Sequence, residues 1–289
     1  MKTITKELVC AAFPSRKADG NKGDFGRALL ICGSYSMPGA ACMSAQAAAR
    51  SGTGLVELAF PGSAYPAVAP RLIEPVLLPS PEREGRFCME STGMLLSAAE
   101  KADAVLIGCG IGQSEETEKA VCRLIREVEK PLVIDADGIN ILSRHIDLLE
   151  RRSVPTVLTP HPGEMGRLMG TSAVQVQSDR ERAAEYFSRL PLVTLVLKGA
   201  GTIVSAQGKH YCNPTGNSGM AKGGSGDVLA GILVSFLAQG IEPVPAASAA
   251  VFIHGLCGDR CAGRTSARGM LPSDMIAALP EVLGEFEPS

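Results

Sequence analysis

The chain has no tryptophan, and aromatic residues make up only 4% of its 289 positions. That leaves too few ring platforms for a protein that binds nucleic acid by stacking bases. No long basic run is present and the formal net charge is −2 at pH 7, which excludes an electrostatic nucleic-acid partner. The nine cysteines are odd in number and contain no C-x-x-C pair, so neither a disulfide framework nor a zinc site is indicated. Cys257 and Cys261, one helical turn apart and just after His254, read as buried thiols rather than as a metal site. The longest apolar run, Val228 to Ala238, is too short to span a bilayer. Met1 to Glu7 lacks the apolar core of a signal peptide, so no membrane partner and a cytoplasmic location are expected. The Walker pattern G-x-x-x-x-G-K-[ST] is absent. Gly108-Cys109-Gly110 has Gln113 where a dinucleotide fingerprint needs its third glycine.

What remains is ample material for a core, at 45% hydrophobic residues. Apolar runs predict strands at Ala28–Cys32, Leu55–Phe60, Ala104–Ile107, Leu132–Asp135, Thr156–Thr159 and Leu192–Leu197. A hairpin of Thr202–Ser205 and Lys209–Cys212 should follow. Helical periodicity predicts Gly39–Arg50, Glu115–Glu129, Gly138–Ser143, Asp179–Arg189, Asp227–Gln239, Ala246–Ala262 and Ser273–Leu279. Ser178-Asp179-Arg180-Glu181 has the form of a capping box for the fourth of these. Pro79–Glu84 reads as a surface loop. Alternating strands and helices imply an α/β sandwich whose mainly parallel sheet is covered on both faces, in one domain spanning 1–289.

Ligands of such sheets bind outside the carboxyl ends of the strands. Polar and glycine-rich segments stand there in number: Gly33-Ser34, Gly108 to Gly112, Asp135-Ala136-Asp137, Thr159 to Glu164, and Lys198-Gly199-Ala200-Gly201-Thr202. The richest is Asn213 to Asp227, a glycine loop opening an apolar helix. Unpaired N–H groups of Gly224, Ser225 and Gly226 at the positive end of that helix make an anion site. Asp227, in the first turn, reads either as a helix-start residue or as a base beside bound phosphate. Lys198 to Thr202 reads as a tight turn or as a nucleotide cradle. His161, fixed between two prolines, is suited to facing a ligand or to capping. His145 and His210 read as surface or turn residues and His254 as a packing one. Asp135 and Asp137 have the chemistry to hold Mg²⁺, although Asp137 fits better as the N-cap of the next helix. The alanine-rich helix containing Ala40 admits a close partner, either another helix or a ligand ring.

Thr159 to Glu164, Lys198 to Thr202 and Asn213 to Gly231 together resemble the ADP- or ATP-dependent NAD(P)H-hydrate dehydratase family, whose fold is a ribokinase-like three-layer α/β/α sandwich. The resemblance runs from Lys22-Gly23 to Leu271-Pro272-Ser273-Asp274. It implies repair of hydrated NADH and NADPH: a nucleotide phosphoryl group is passed to the C6 hydroxyl, then lost as phosphate. It implies Asp227 as catalytic base. Ala40, Gly110, His161 and Asp227 would lie against the hydrate, and Lys198, Gly199, Ala200, Gly201, Thr202 and Gly226 against the adenine nucleotide. ADP or ATP would be the co-substrate, Mg²⁺ would bridge its phosphates through unassigned ligands, and the protein would be a homo-oligomer, a tetramer. The chain departs from the family at Asn21, where histidine is common, at Cys109, where proline is common, and at Ser225, where threonine is common. No second, epimerase domain is expected. A small-alcohol kinase of the same fold and a non-catalytic nucleotide sensor are the competing readings.

Overall fold

The computed structural model describes residues 1–16 and 18–286. Twelve strands run β1 (Lys2–Thr3), β2 (Arg27–Ile31), β3 (Leu55–Pro61), β4 (Val76–Ser80), β5 (Glu82–Arg83), β6 (Arg86–Phe87), β7 (Ala104–Ile107), β8 (Leu132–Ile134), β9 (Thr156–Leu158), β10 (Val193–Leu197), β11 (Ile203–Ala206) and β12 (Lys209–Cys212). The helices are α1 (Lys6–Cys10), α2 (Pro38–Arg50), α3 (Tyr65–Val68), α4 (Thr92–Lys101), α5 (Glu115–Glu127), α6 (Asp137–Leu142), α7 (Asp147–Glu150), α8 (Pro162–Met169), α9 (Ala173–Ser178), α10 (Arg180–Glu185), α11 (Ser225–Ala238), α12 (Pro243–Arg264) and α13 (Pro272–Gly284).

Ten strands form one sheet in the order β1-β12-β11-β10-β9-β8-β7-β2-β3-β4. Strands β10, β9, β8, β7, β2, β3 and β4 are mutually parallel, and the β11–β12 hairpin adds the antiparallel part. Every residue of β7, β8, β9 and β10 is buried, as a strand covered on both faces requires. One apolar cluster lies beneath α2, α11, α12 and α13, the other beneath α4, α5, α6, α8 and α10. Three layers result, α/β/α. Small residues set the spacing on the first face: a Cβ on Gly231 of α11 would fall 2.2 Å from the Ser44 carbonyl oxygen of α2. The alanine helix therefore has a helix as its close partner.

The chain moves outward from β2 through β3 to β4, then returns to place β7 on the other side of β2. The order reverses between β2 and β7, which opens a crevice at their carboxyl ends.

Several expectations need correction. Pro79–Glu84 is not simply a loop: Pro79 and Ser80 end edge strand β4, and Glu82 and Arg83 begin a short hairpin. The prolines that suggested a loop are tolerated because the strand lies at the sheet edge. The cap before α10 is Asp179, whose side chain accepts from Arg182 N at 3.0 Å, while Ser178 still belongs to α9. Asp137 is not the cap of α6; Ala136 is, and the Asp137 carboxylate accepts from Gly112 N at 2.9 Å and from Gln113 Nε2 at 3.2 Å. His145 does lie in a surface connection as expected; Arg144 and His145, the latter at 2.6 Å, hold Glu118 and pull its carboxyl down to about 2. His210 sits in β12 with Nδ1 buried. Among the described residues, no helix is long and apolar enough to cross a membrane.

Candidate functional site

The glycine loop ends at Gly224, whose φ of 101° makes the turn into α11. A side chain there would be strained, and its Cβ would also meet Met43 Sδ at 2.6 Å. The helix starts at Ser225 with no side-chain cap. The Ser225 N–H, expected to be unpaired, donates to the Lys222 carbonyl at 3.3 Å as the loop tightens into the helix, so the N–H groups left to an anion are those of the residues beside it. Asp227 stands in that first turn. Burial, reinforced by the charge of Asp135, pushes its carboxyl up to about 6.

Opposite lies Lys198 at the end of β10. Its Nζ donates to Asp135 Oδ1 at 2.7 Å and stands 3.9 Å from Glu164 Oε2. Burial works against the ammonium, but Asp135 and Glu164 outweigh it and the Lys198 pKa is raised. Thr159 Oγ1 donates to the same Asp135 oxygen at 2.7 Å. A Cβ on Gly226 would lie 3.3 Å from Lys198 Nζ, so the cation sits directly against the loop-to-helix turn. A raised carboxyl, a cation and backbone donors thus share one crevice, an arrangement suited to moving a proton while an anion is held.

The other expected residues arrange around this centre. Gly110 (φ 65°) follows β7, and its missing Cβ would fall 2.7 Å from the Ala40 methyl at the start of α2. Those two positions are brought together across the switch point. Gly108 (φ 132°) admits the Asp135 carbonyl, which would stand 1.9 Å from a Cβ there.

His161 is the N-cap of α8. Its Nδ1 accepts from Gly163 N at 2.9 Å and Glu164 N at 3.3 Å, and its own N–H donates to Glu164 Oε2 at 2.8 Å. Nδ1 being an acceptor leaves the proton on Nε2, which faces Glu164 Oε1 at 3.3 Å. Burial and the nearby Lys198 lower its pKa, so the ring is neutral at pH 7. The exposed ring is thus both capped into place and presented at the crevice.

Gly199, Ala200 and Gly201 form an exposed turn, closed by half-buried Thr202 and shaped by a residue the sequence pattern did not reveal. Arg180 donates to the carbonyls of Leu197 (3.0 Å), Lys198 (3.2 Å) and Gly201 (3.4 Å). Nothing in the local pattern signals this, since Arg180 is on another helix. Glu164, which the sequence offered only as the end of a polar segment, is buried in the first turn of α8.

Cys109 was visible as a departure from the family pattern, but its surroundings were not. Its Sγ lies 3.6 Å from Asp135 Oδ2, and ligand atoms of Cys109, Asp135 and Asp227 lie within 4.8 Å of one another. Among the described residues this is the one metal-compatible cluster. It does not fit a resident Mg²⁺. That ion prefers six oxygens, whereas here a thiol supplies one position and the Lys198 ammonium already occupies Asp135.

Comparisons with known proteins place the chain in a family. An NAD(P)H-hydrate dehydratase family model matches residues 28–281. A bifunctional NAD(P)H-hydrate repair enzyme of Moorella thermoacetica is 39% identical over 98% of this chain but only 55% of its own length. The chain spans about half the length of that relative. An ADP-dependent (S)-NAD(P)H-hydrate dehydratase of Neisseria meningitidis is 37% identical over 86% of this chain and 81% of its own. The ADP/ATP-dependent NAD(P)H-hydrate dehydratase of Bacillus subtilis, co-crystallised with ATP and Mg²⁺, superposes with a TM-score of 0.83 at 32% identity, covering 99% of each chain. A ribokinase-like protein of Enterococcus faecalis superposes with a TM-score of 0.84 at 29% identity. The fold is ribokinase-like, and on the match over residues 28–281 the chain belongs to the NAD(P)H-hydrate dehydratase family.

Proposed function

We propose that this chain is an ADP-dependent (S)-NAD(P)H-hydrate dehydratase, a hydro-lyase that restores NADH and NADPH from their hydrates with release of AMP and phosphate. The observation that carries the reading is Asp227. A carboxyl raised to about 6 is ionised at neutral pH yet basic enough to take a hydroxyl proton, and it stands where α11 directs free N–H groups at an anion. In this reading the C6 hydroxyl attacks the terminal phosphorus of ADP while its proton passes to Asp227. The bond to the bridging oxygen breaks and AMP leaves. Loss of phosphate from C6, with the proton from the neighbouring carbon, re-forms the ring double bond.

The N–H groups of Gly224 and Gly226, with Lys198, stabilise charge on the transferring group, while the Ser225 N–H is held by the Lys222 carbonyl. Gly199 to Thr202 cradle the nucleotide, and Ala40, Gly110 and His161 line the hydrate side. Mg²⁺ belongs to this proposal as an ion carried by the phosphates, supplying charge neutralisation; no resident protein cage fits it. A single catalytic domain, a cytoplasmic location and a tetramer belong to it as well. The name of the Neisseria relative favours ADP over ATP as donor.

The test is a spectrophotometric assay with chemically prepared NADH hydrate, Mg²⁺ and either nucleotide. A rise in the near-ultraviolet absorbance of the reduced nicotinamide that requires ADP establishes the reading. A stable phosphorylated alcohol in place of free phosphate would reassign the site to a small-molecule kinase.

A further inference from the structure

Two buried polar atoms beside the glycine loop have no partner. They are Ser225 Oγ, on the first residue of α11, and His254 Nε2, within α12. Each residue is only 8% exposed. Buried polar groups in folded proteins are nearly always satisfied, so two orphans at one place call for a missing partner.

The position of α12 is fixed by the loop itself. Asn213 Nδ2 donates to the Val251 carbonyl at 3.0 Å and Thr215 Oγ1 to the Phe252 carbonyl at 2.9 Å. Gly255 makes this approach feasible, since a Cβ there would stand 2.0 Å from Thr215 Oγ1. The His254 ring is thereby set against the Ser225 main chain and within the field of Lys198. Burial pushes its pKa down to about 4, with Lys198 adding to the shift and the Ser225 main chain opposing it. The ring is therefore neutral wherever Asp227 is ionised, and carries one N–H and one acceptor nitrogen.

We propose that His254 is a positioning residue for the terminal phosphoryl group of the nucleotide, acting through the Ser225 hydroxyl. The inference rests on the nucleotide reading above. In the loaded site Ser225 Oγ–H donates to a phosphoryl oxygen, and the Ser225 oxygen accepts from His254 Nε2–H. One arriving anion then satisfies both orphans. Backbone N–H groups alone would accept an anion in many orientations, whereas the hydroxyl adds a directed donor at the end of α11. A neutral relay suits the place, because Lys198 already supplies the cation. Neither residue bonds to phosphorus or carbon.

The experiment is calorimetric titration of wild-type protein, Ser225→Ala, His254→Leu and His254→Gln with ADP and with AMP, which lacks the terminal phosphoryl group. Ser225→Ala and His254→Leu should each lose about tenfold in ADP affinity, the size of one charge-assisted hydrogen bond, with AMP affinity unchanged. His254→Gln, whose amide can donate from a similar place, should recover most of the loss. In nitrogen-15 spectra of the wild type, the His254 ring signal should shift with ADP and not with AMP. Equal losses for both nucleotides would reduce His254 to packing and overturn the proposal. So would unchanged ADP affinity in both variants, or a ring signal indifferent to ADP. Wild-type protein that binds neither nucleotide would overturn the nucleotide reading together with this one, a result distinct from variants that match a binding-competent wild type.

Discussion

Arg152, a buried charge, and Asp227, a half-buried one, stand at opposite edges of the same sheet, and their surroundings differ in kind. Arg152, at the amino edge, donates from Nε to Thr156 Oγ1 at 2.6 Å, from Nη1 to the Ile125 and Val128 carbonyls at 2.5 and 3.1 Å, and from Nη2 to the Lys130 carbonyl at 3.0 Å. Burial lowers its pKa only to about 10, so it stays charged and closes the C-terminal end of α5. Asp227, at the carboxyl edge, lies near a thiol and the like charge of Asp135, and burial drives its carboxyl up to about 6. A buried charge surrounded by acceptors holds the fold together. A half-buried charge left among poor partners is held ready for a proton.

Neutralising each charge should have opposite consequences at the two edges. Asp227→Asn should reduce turnover by about 10³-fold or more, the scale of a lost general base, with ADP binding largely kept; stopped assays alongside calorimetry check both. The same change should stabilise the protein. A carboxyl whose folded pKa exceeds its unfolded one disfavours the fold above pH 6, and that penalty disappears as pH falls towards the ordinary value of 3.8. Removing it should return on the order of 2–3 kcal/mol at neutral pH, read as a higher denaturation midpoint. Arg152→Met should do the reverse. Orphaning the carbonyls it served should cost about 2–4 kcal/mol in chemical denaturation, with kcat of the folded fraction unchanged.

Smaller effects sharpen the carboxyl edge alone. With Asp227 as the proposed base, active only when ionised, kcat/KM should fall about tenfold per pH unit below about 6. Lys198 holds the Asp227 pKa down, so Lys198→Met should move that acid limb to higher pH. An unmoved limb would mean that another group governs the profile.

Much of the carboxyl edge was legible in the sequence. Gly108 to Gly112, Asp135, Thr159 to Glu164 and Lys198 to Thr202 each follow an apolar run, the 213–227 loop follows the returning strand of a hairpin, and strand direction alone sends them to one side. The edge strand β4 and helix α4 were missed because proline and mixed polarity hide them from a test of periodicity. His161 was readable as either cap or ligand, and the structure shows a cap whose ring also faces the crevice.

The layering, the sheet edge that gathers the glycine-rich segments and the helix opened by a glycine loop follow from local periodicity and glycine placement alone. Only the tertiary structure decided that Lys198 pairs with Asp135 across 63 residues, that Arg180 shapes the turn after β10, and that His254 meets Ser225. The same is true of the raised Asp227 carboxyl. Such facts depend on which distant groups share a desolvated space, and a linear pattern carries no measure of burial or of charge across that distance.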